Sequence, residues 1–149
     1  MNNNVIIRKK VASIKETAKI AEDFANQLQE GDVVALCGEL GTGKTFFVRK
    51  VAEALNYENL VTSPTFVILN IYKADMMIYH FDLYRLEREQ ELENVGFSEY
   101  LNKNGIVFVE WPEVAKNFLP AEYYLVKFKI VQDKRKSREI IIKKIEKKE

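Results

Sequence analysis

The spacing of apolar residues along the chain changes several times, and each change predicts an element. Val5-Ile6-Ile7 reads as a short first strand. Ile20, Phe24 and Leu28 then recur at one-face helical spacing, opened by the capping-box string Ser13-Ile14-Lys15-Glu16 and ended at Gly31. Val33-Val34-Ala35-Leu36-Cys37 is continuously apolar, as a buried strand would be. Phe47, Val48, Val51 and Leu55 return to helical spacing and carry a second helix to about Asn56. Pro64, in Thr62-Ser63-Pro64-Thr65, argues against a central strand there. Thr65 to Tyr72 and Met76 to Tyr84 are rich in β-branched and aromatic residues, and Lys73-Ala74-Asp75 separates them as the turn of a hairpin. A polar helix is expected from about Glu87 to Asn94, and a shorter one from Ser98 to Asn102. Ile106-Val107-Phe108-Val109 suits a strand covered on both faces of a parallel sheet. Pro112 can start a short helix reaching Phe118. From Tyr123 to Val131 the pattern alternates, with Tyr124, Val126, Phe128 and Ile130 on one face; after a polar turn, Asp133 to Ser137, the run Glu139 to Ile142 is its hairpin partner. The order of elements predicts one α/β domain over residues 1–149, with central parallel strands flanked by antiparallel ones.

Composition adds little to that picture but excludes several classes. The chain is 47% hydrophobic and 30% charged, as in soluble globular domains. No apolar run approaches the roughly 18 residues of a membrane span, and Met1 to Val5 lacks an apolar signal region. Cys37 is the single cysteine, so no internal disulfide can form; it reads as a buried structural thiol. A cytoplasmic protein without membrane partners is expected. The net charge of +1 is unevenly spread. Residues 127–149 hold ten Lys and Arg against four Asp and Glu, a net of +6, whereas residues 1–126 hold thirteen against eighteen, a net of −5. That basic hairpin-like end, about 123–145, suits either an acidic or RNA partner or a solvated edge guarded against aggregation; the second reading is preferred.

Chemistry enters between the first apolar strand and the second helix. Gly38-Glu39-Leu40-Gly41-Thr42-Gly43-Lys44-Thr45 fits G-x-x-x-x-G-K-[ST], the phosphate-binding P-loop, in the strand–loop–helix setting the motif requires. Glycines let backbone N–H groups turn inward around a phosphate at a helix N-terminus that already favours anions. Lys44 would reach the β- and γ-phosphates, and the Thr45 hydroxyl would bind Mg²⁺. Glu110, ending the strand Ile106 to Val109, stands where a Walker B carboxylate would bind the metal or polarise a water. Strand alternation places His80, Asp82 and Tyr84 on one face. Asp82 is a second candidate near Mg²⁺, whereas the sole histidine, His80, reads as a packed, hydrogen-bonded residue rather than a proton carrier. Thr62, Ser63 and Thr65 offer hydroxyls where a γ-phosphate sensor would lie, or form a simple Ser-Pro turn; composition does not choose between them. Trp111 can stack on a base or buttress the loop.

Four blocks in order and spacing, the P-loop string, Ser63-Pro64-Thr65-Phe66, His80-Phe81-Asp82-Leu83-Tyr84-Arg85-Leu86 and Glu110-Trp111-Pro112-Glu113, resemble the TsaE (formerly YjeE) family from about Thr17 to Pro120. The resemblance implies a P-loop NTPase domain and a small ATPase that works with TsaD and TsaB in making threonylcarbamoyladenosine on tRNA, which it meets indirectly through that complex. It implies ATP binding by Glu39, Leu40, Gly41, Thr42, Gly43, Lys44 and Thr45. Mg²⁺ would lie on Thr45, Thr65 and Asp82 would sit in switch-like segments, Glu110 would act as the Walker B residue, and Trp111 would lie beside the site. It further implies hydrolysis that is slow alone and stimulated by the partners. One departure stands out: relatives usually carry a second Thr after Lys-Thr, to contact the α-phosphate, and here that position is Phe46. Weaker nucleotide binding, with the backbone N–H of Phe46 serving the α-phosphate, is the expected consequence. Two alternatives remain: a small-molecule P-loop kinase, for which Arg85 and Arg88 would be lid candidates, and a nucleotide-gated adaptor with little turnover of its own.

Overall fold

The computed structural model describes residues 2–39, 41–59, 68–132 and 137–147. Seven strands form one mixed sheet: β1 (Asn2–Val11), β2 (Val33–Cys37), β3 (Leu69–Lys73), β4 (Met77–Asp82), β5 (Ile106–Glu110), β6 (Glu122–Ile130) and β7 (Arg138–Glu146). Their order is β1-β7-β6-β2-β5-β4-β3. The middle four are parallel, β3 is antiparallel on one edge, and β7 and β1 are antiparallel on the other. The predicted α/β architecture is therefore present, including both hairpins. Among the described residues no helix is long and apolar enough to cross a membrane.

Alternation along β5 explains how the sheet is covered. Ile106 and Phe108 point into a core with Val34 and Leu36 of β2 and with helices α1 (Ile14–Ala25) and α2 (Lys44–Ala54). Val107 and Val109 point the other way, into a second core with Phe81, Leu92 and Phe97. That core lies under two short helices, α3 (Glu89–Asn94) and α4 (Phe97–Leu101), and a 3-10 turn, Pro112–Ala115. All five β5 residues are buried, as a two-faced parallel strand requires. Aromatic edges tie α1 and α2 to β6: Phe24 meets Tyr124 at 5.1 Å, and Phe47 meets Phe128 at 5.6 Å, both T-shaped.

Several boundaries differ from expectation for physical reasons. Val5-Ile6-Ile7 is only the middle of the ten-residue β1; Arg8, Lys9 and Lys10 continue it as an exposed charged edge, which apolar patterning does not register. A pairing irregularity between Val5 and Ile7 leaves Ile6 exposed within it. Helix α1 is capped by the Ser13 side chain, which accepts from the Glu16 N–H, but it ends at Ala25 rather than near Gly31. Leu28 still reaches the core, from a turn in which the Asp32 carboxylate accepts from the Gln29 N–H. The turn after Pro112 is tighter and shorter than the predicted helix. Ile130, expected on the apolar face of β6, lies at the strand end and is exposed.

Candidate functional site

The glycine loop leaves the C-terminal end of β2 and runs into α2, on one side of which β5 and β4 end at Glu110 and Asp82. Register aligns Leu36, Glu110 and Asp82 side by side across β2, β5 and β4. Ligand crevices of open α/β sheets form at such strand ends. The loop is tightly held. A Cβ on Gly38 would stand 2.9 Å from the Phe128 carbonyl oxygen and 2.8 Å from the Thr42 hydroxyl, so only glycine fits. Gly43 starts α2 at φ +105°, a left-handed conformation that costs glycine little, and offers no side-chain cap to the first-turn N–H groups. The buried Thr42 hydroxyl donates to the Glu39 carbonyl at 2.7 Å, so it braces the loop from within. Arg138 of β7 donates to the Gly41 carbonyl at 3.2 Å, a tie across the sheet that motif reading missed.

Lys44 is only 5% exposed. Its ammonium donates to the Gly38 carbonyl at 2.6 Å and sits 3.6 Å over the Trp111 ring. Burial pushes its pKa below the usual lysine range, opposed by the nearby Glu110 and Asp82 carboxylates. Lys44 is thus a packed part of the loop as well as a cation. Trp111 reaches it from a left-handed backbone, φ 57°, immediately before Pro112; such a conformation costs a bulky residue of order 1–3 kcal/mol. The exposed Tyr84 leans on Trp111, with ring centroids 5.0 Å apart. Tyr84 does not share the face of His80 and Asp82 as alternation predicted, because β4 ends at Asp82 and the carboxylate there accepts from the Tyr84 N–H at 3.0 Å, turning the chain.

Glu110 is the hub of the buried groups. Its Oε2 lies 2.6 Å from His80 Nε2, and the half-buried Thr45 hydroxyl donates to the same carboxylate at 3.3 and 3.5 Å. His80 Nδ1 lies 2.9 Å from the Tyr72 hydroxyl, so the histidine is packed and hydrogen-bonded on both nitrogens, as preferred from sequence. Asp82 titrates above the usual carboxylate range, chiefly through burial; the Tyr84 N–H opposes the rise, and Glu110 adds to it. Cys37 is half-buried rather than buried as expected; desolvation still pushes its thiol up to about 11, so it stays protonated. Among the described residues no three or more His, Cys, Asp or Glu side chains cluster to form a ready-made metal cage. Two carboxylates and a hydroxyl at one strand-end crevice nonetheless match the oxygen donors Mg²⁺ takes when phosphate and water complete its shell. Leu40, the stretch Thr62 to Thr65, and Lys134, Arg135 and Lys136 lie outside the described residues.

Beside the loop opens a pocket of about 350 Å³, lined by Val11, Ser13, Thr17, Gly43, Phe46 and Arg138, among others. Phe46 therefore borders the crevice at its α1 side rather than filling the core.

The family model for TsaE, the threonylcarbamoyl adenosine biosynthesis protein, matches residues 11–140. The chain belongs to the TsaE family. It is 40% identical over 126 residues to the tRNA threonylcarbamoyladenosine biosynthesis protein TsaE of Rickettsia typhi, covering 83% of this chain and 87% of that protein. Identity to TsaE of Bacillus subtilis is also 40%, over 109 residues, 72% of this chain and 68% of the relative. The crystal structure of Bacillus subtilis YdiB superposes with a TM-score of 0.80 at 29% identity, over 97% of this chain and 86% of that one. The family match thus runs from the last residue of β1 through β6 to the start of β7, beyond the four short blocks.

Proposed function

We propose that this member of the TsaE family binds and hydrolyses Mg-ATP, and that hydrolysis supports the TsaD–TsaB pair in threonylcarbamoyladenosine modification of tRNA in the cytoplasm. The supporting observation is the convergence of a glycine loop, Lys44, Thr45, Asp82 and Glu110 at one end of a mixed sheet, which we read as a P-loop NTPase domain. Backbone N–H groups of the loop and of the first turn of α2 would receive the phosphates. An entering β- or γ-phosphate would compete with the Gly38 carbonyl for the Lys44 ammonium, exchanging a neutral acceptor for a charged one. Thr45, Glu110 and Asp82 are the residues that would hold Mg²⁺. The ion supplies charge neutralisation on the phosphoryl oxygens. It would also relieve the repulsion between Asp82 and Glu110. The pocket at Phe46 would take the nucleoside end, with Arg138 at its rim.

In this reading the TsaD–TsaB pair completes a site that turns over slowly alone. Steady-state phosphate release at fixed salt, measured with and without TsaD–TsaB, tests the reading. Slow release that rises strongly with the pair is expected. Fast release that the pair leaves unchanged would favour a stand-alone hydrolase or small-molecule kinase.

A further inference from the structure

We infer that His80, held by Tyr72, is a positioning residue that fixes which oxygen of Glu110 faces the metal. The inference rests on the Mg-ATP reading and assigns a role to two side chains the P-loop motif does not contain.

The pattern of strands brings them together. Asn70 of β3 pairs with His80 of β4, and Asp82 pairs with Glu110 of β5. Tyr72 stands two residues from Asn70, so Asn70, Tyr72, His80 and Glu110 share the face that looks toward α2 and Thr45. His80 is fully buried, and Tyr72 and Glu110 are 4% and 3% exposed. A buried polar side chain carries a desolvation penalty unless its donors and acceptors are matched.

Matching them fixes the direction of the chain. An ionised carboxylate only accepts, so the 2.6 Å contact requires the proton on His80 Nε2. In a neutral ring Nδ1 is then the acceptor, and the Tyr72 hydroxyl donates to it at 2.9 Å. Burial pushes the Tyr72 phenol up to about 12, which keeps that donor protonated, and the Asn70 side chain hydrogen-bonds the phenol in turn. The series ends at Glu110 Oε2, which also receives Thr45 at 3.3 Å. Among the described residues, Oε1 has only the 3.5 Å contact with Thr45. Once Thr45 turns its oxygen to a cation, Oε2 stays tied to His80, and Oε1 is the oxygen left to face the metal. The glutamate's last torsion, otherwise a broad rotor, is thereby set before any ligand arrives.

The test uses the full chain and three variants. His80→Leu keeps most of the volume and removes the donor; His80→Gln can restore an N–H near Nε2; Tyr72→Phe deletes only the hydroxyl. Calorimetric titration with a non-hydrolysable ATP analogue, with and without Mg²⁺, is paired with hydrolysis kinetics in the presence of TsaD–TsaB. His80→Leu is expected to lose about 10–100-fold in kcat with KM little changed, in line with other second-layer partners of metal ligands. It is also expected to leave metal-free affinity alone while erasing the gain that Mg²⁺ brings. His80→Gln should recover most of both, and Tyr72→Phe should show a several-fold loss in kcat. If His80→Leu does not fold, Tyr72→Phe and His80→Gln decide the matter by the same readouts. Wild-type kcat and Mg²⁺ dependence in Tyr72→Phe and in every folded His80 variant would overturn the positioning role. So would losses that follow thermal stability rather than the presence of a donor. Wild-type protein that shows no Mg²⁺-dependent ATP binding would instead overturn the nucleotide reading, and this role with it.

Discussion

Either side of β2 the sheet has two different interiors. On the β6–β7 side, Val126, Phe128, Ile140 and Ile142 share an apolar core with α1 and α2, in which Tyr124 packs its ring on Phe24. On the β5–β4 side, at the strand ends beside the glycine loop, the buried residues include His80, Asp82 and Glu110, with Lys44 of α2 buried close by. The first region lowers the free energy of the fold by removing apolar area from water. In the second, Asp82 and Lys44 are pushed by burial toward their neutral forms, and Trp111 is held in a left-handed conformation. One wing stabilises the sheet, and the other uses part of that stability to keep charges poised at a crevice.

The sharpest break between the wings is expected at Lys44. Lys44→Ala should abolish the rise in unfolding temperature that Mg-ATP gives the wild type, because the loop loses its one cation aimed at phosphates, while the unliganded protein keeps its fold. Wild-type nucleotide stabilisation in this variant would remove the loop from the site. Next in size is a change on the opposite wing. Ile142 is fully buried, and Ile142→Ala should cost about 2–5 kcal/mol in urea unfolding. Turnover per folded molecule should stay the same well below the transition. A parallel loss of turnover would mean that the two wings are not separable.

Asp82→Asn should separate stability from function on one residue. The raised pKa of Asp82 means that the folded protein binds the proton more readily than the unfolded chain. Its favourable contribution is complete below the ordinary carboxylate pKa and is lost as pH rises through the raised one. Asparagine avoids that loss. The unliganded variant should therefore melt higher at neutral pH, on the order of a few degrees, with the advantage fading in acid, while hydrolysis falls. Melting curves across pH check the sign; a lower melting point at neutral pH would contradict it. The smallest effect is expected at Phe46. Phe46→Thr restores a hydroxyl toward the α-phosphate, for about 0.5–1.5 kcal/mol of tighter analogue binding by calorimetry. Unchanged or weaker binding would mean that the ring's contact with the nucleoside outweighs the hydroxyl.

The two wings also differ in how far the sequence discloses them. The glycine loop was legible because its meaning is local: eight consecutive residues between an apolar strand and a helix. Glu110 could be found because an apolar strand ends on it. The partnership of Tyr72, His80 and Glu110 was not, since it depends on the register of three strands, which a list of residues does not contain. Arg138 lies 97 residues from the Gly41 carbonyl it holds, and only the place of β7 in the sheet, one strand removed from β2, connects them. Strand β1 was mostly hidden because edge strands carry charges where central strands carry valine and isoleucine. Alternation carried Tyr84 onto the wrong face because a side-chain-capped turn stops β4 two residues earlier.

The central claim is that Glu110 and the glycine loop form one Mg-ATP hydrolysing site, and single-turnover phosphate release by Glu110→Gln beside the wild type, both with TsaD–TsaB, tests it most directly. Glutamine keeps the size and removes the charge that would organise metal or water. The rate is expected to fall by about 10²–10³-fold, the scale seen when one electrostatic contact to a transition state is removed, with analogue affinity changed far less. Release at the wild-type rate from a well-folded Glu110→Gln protein would contradict the account.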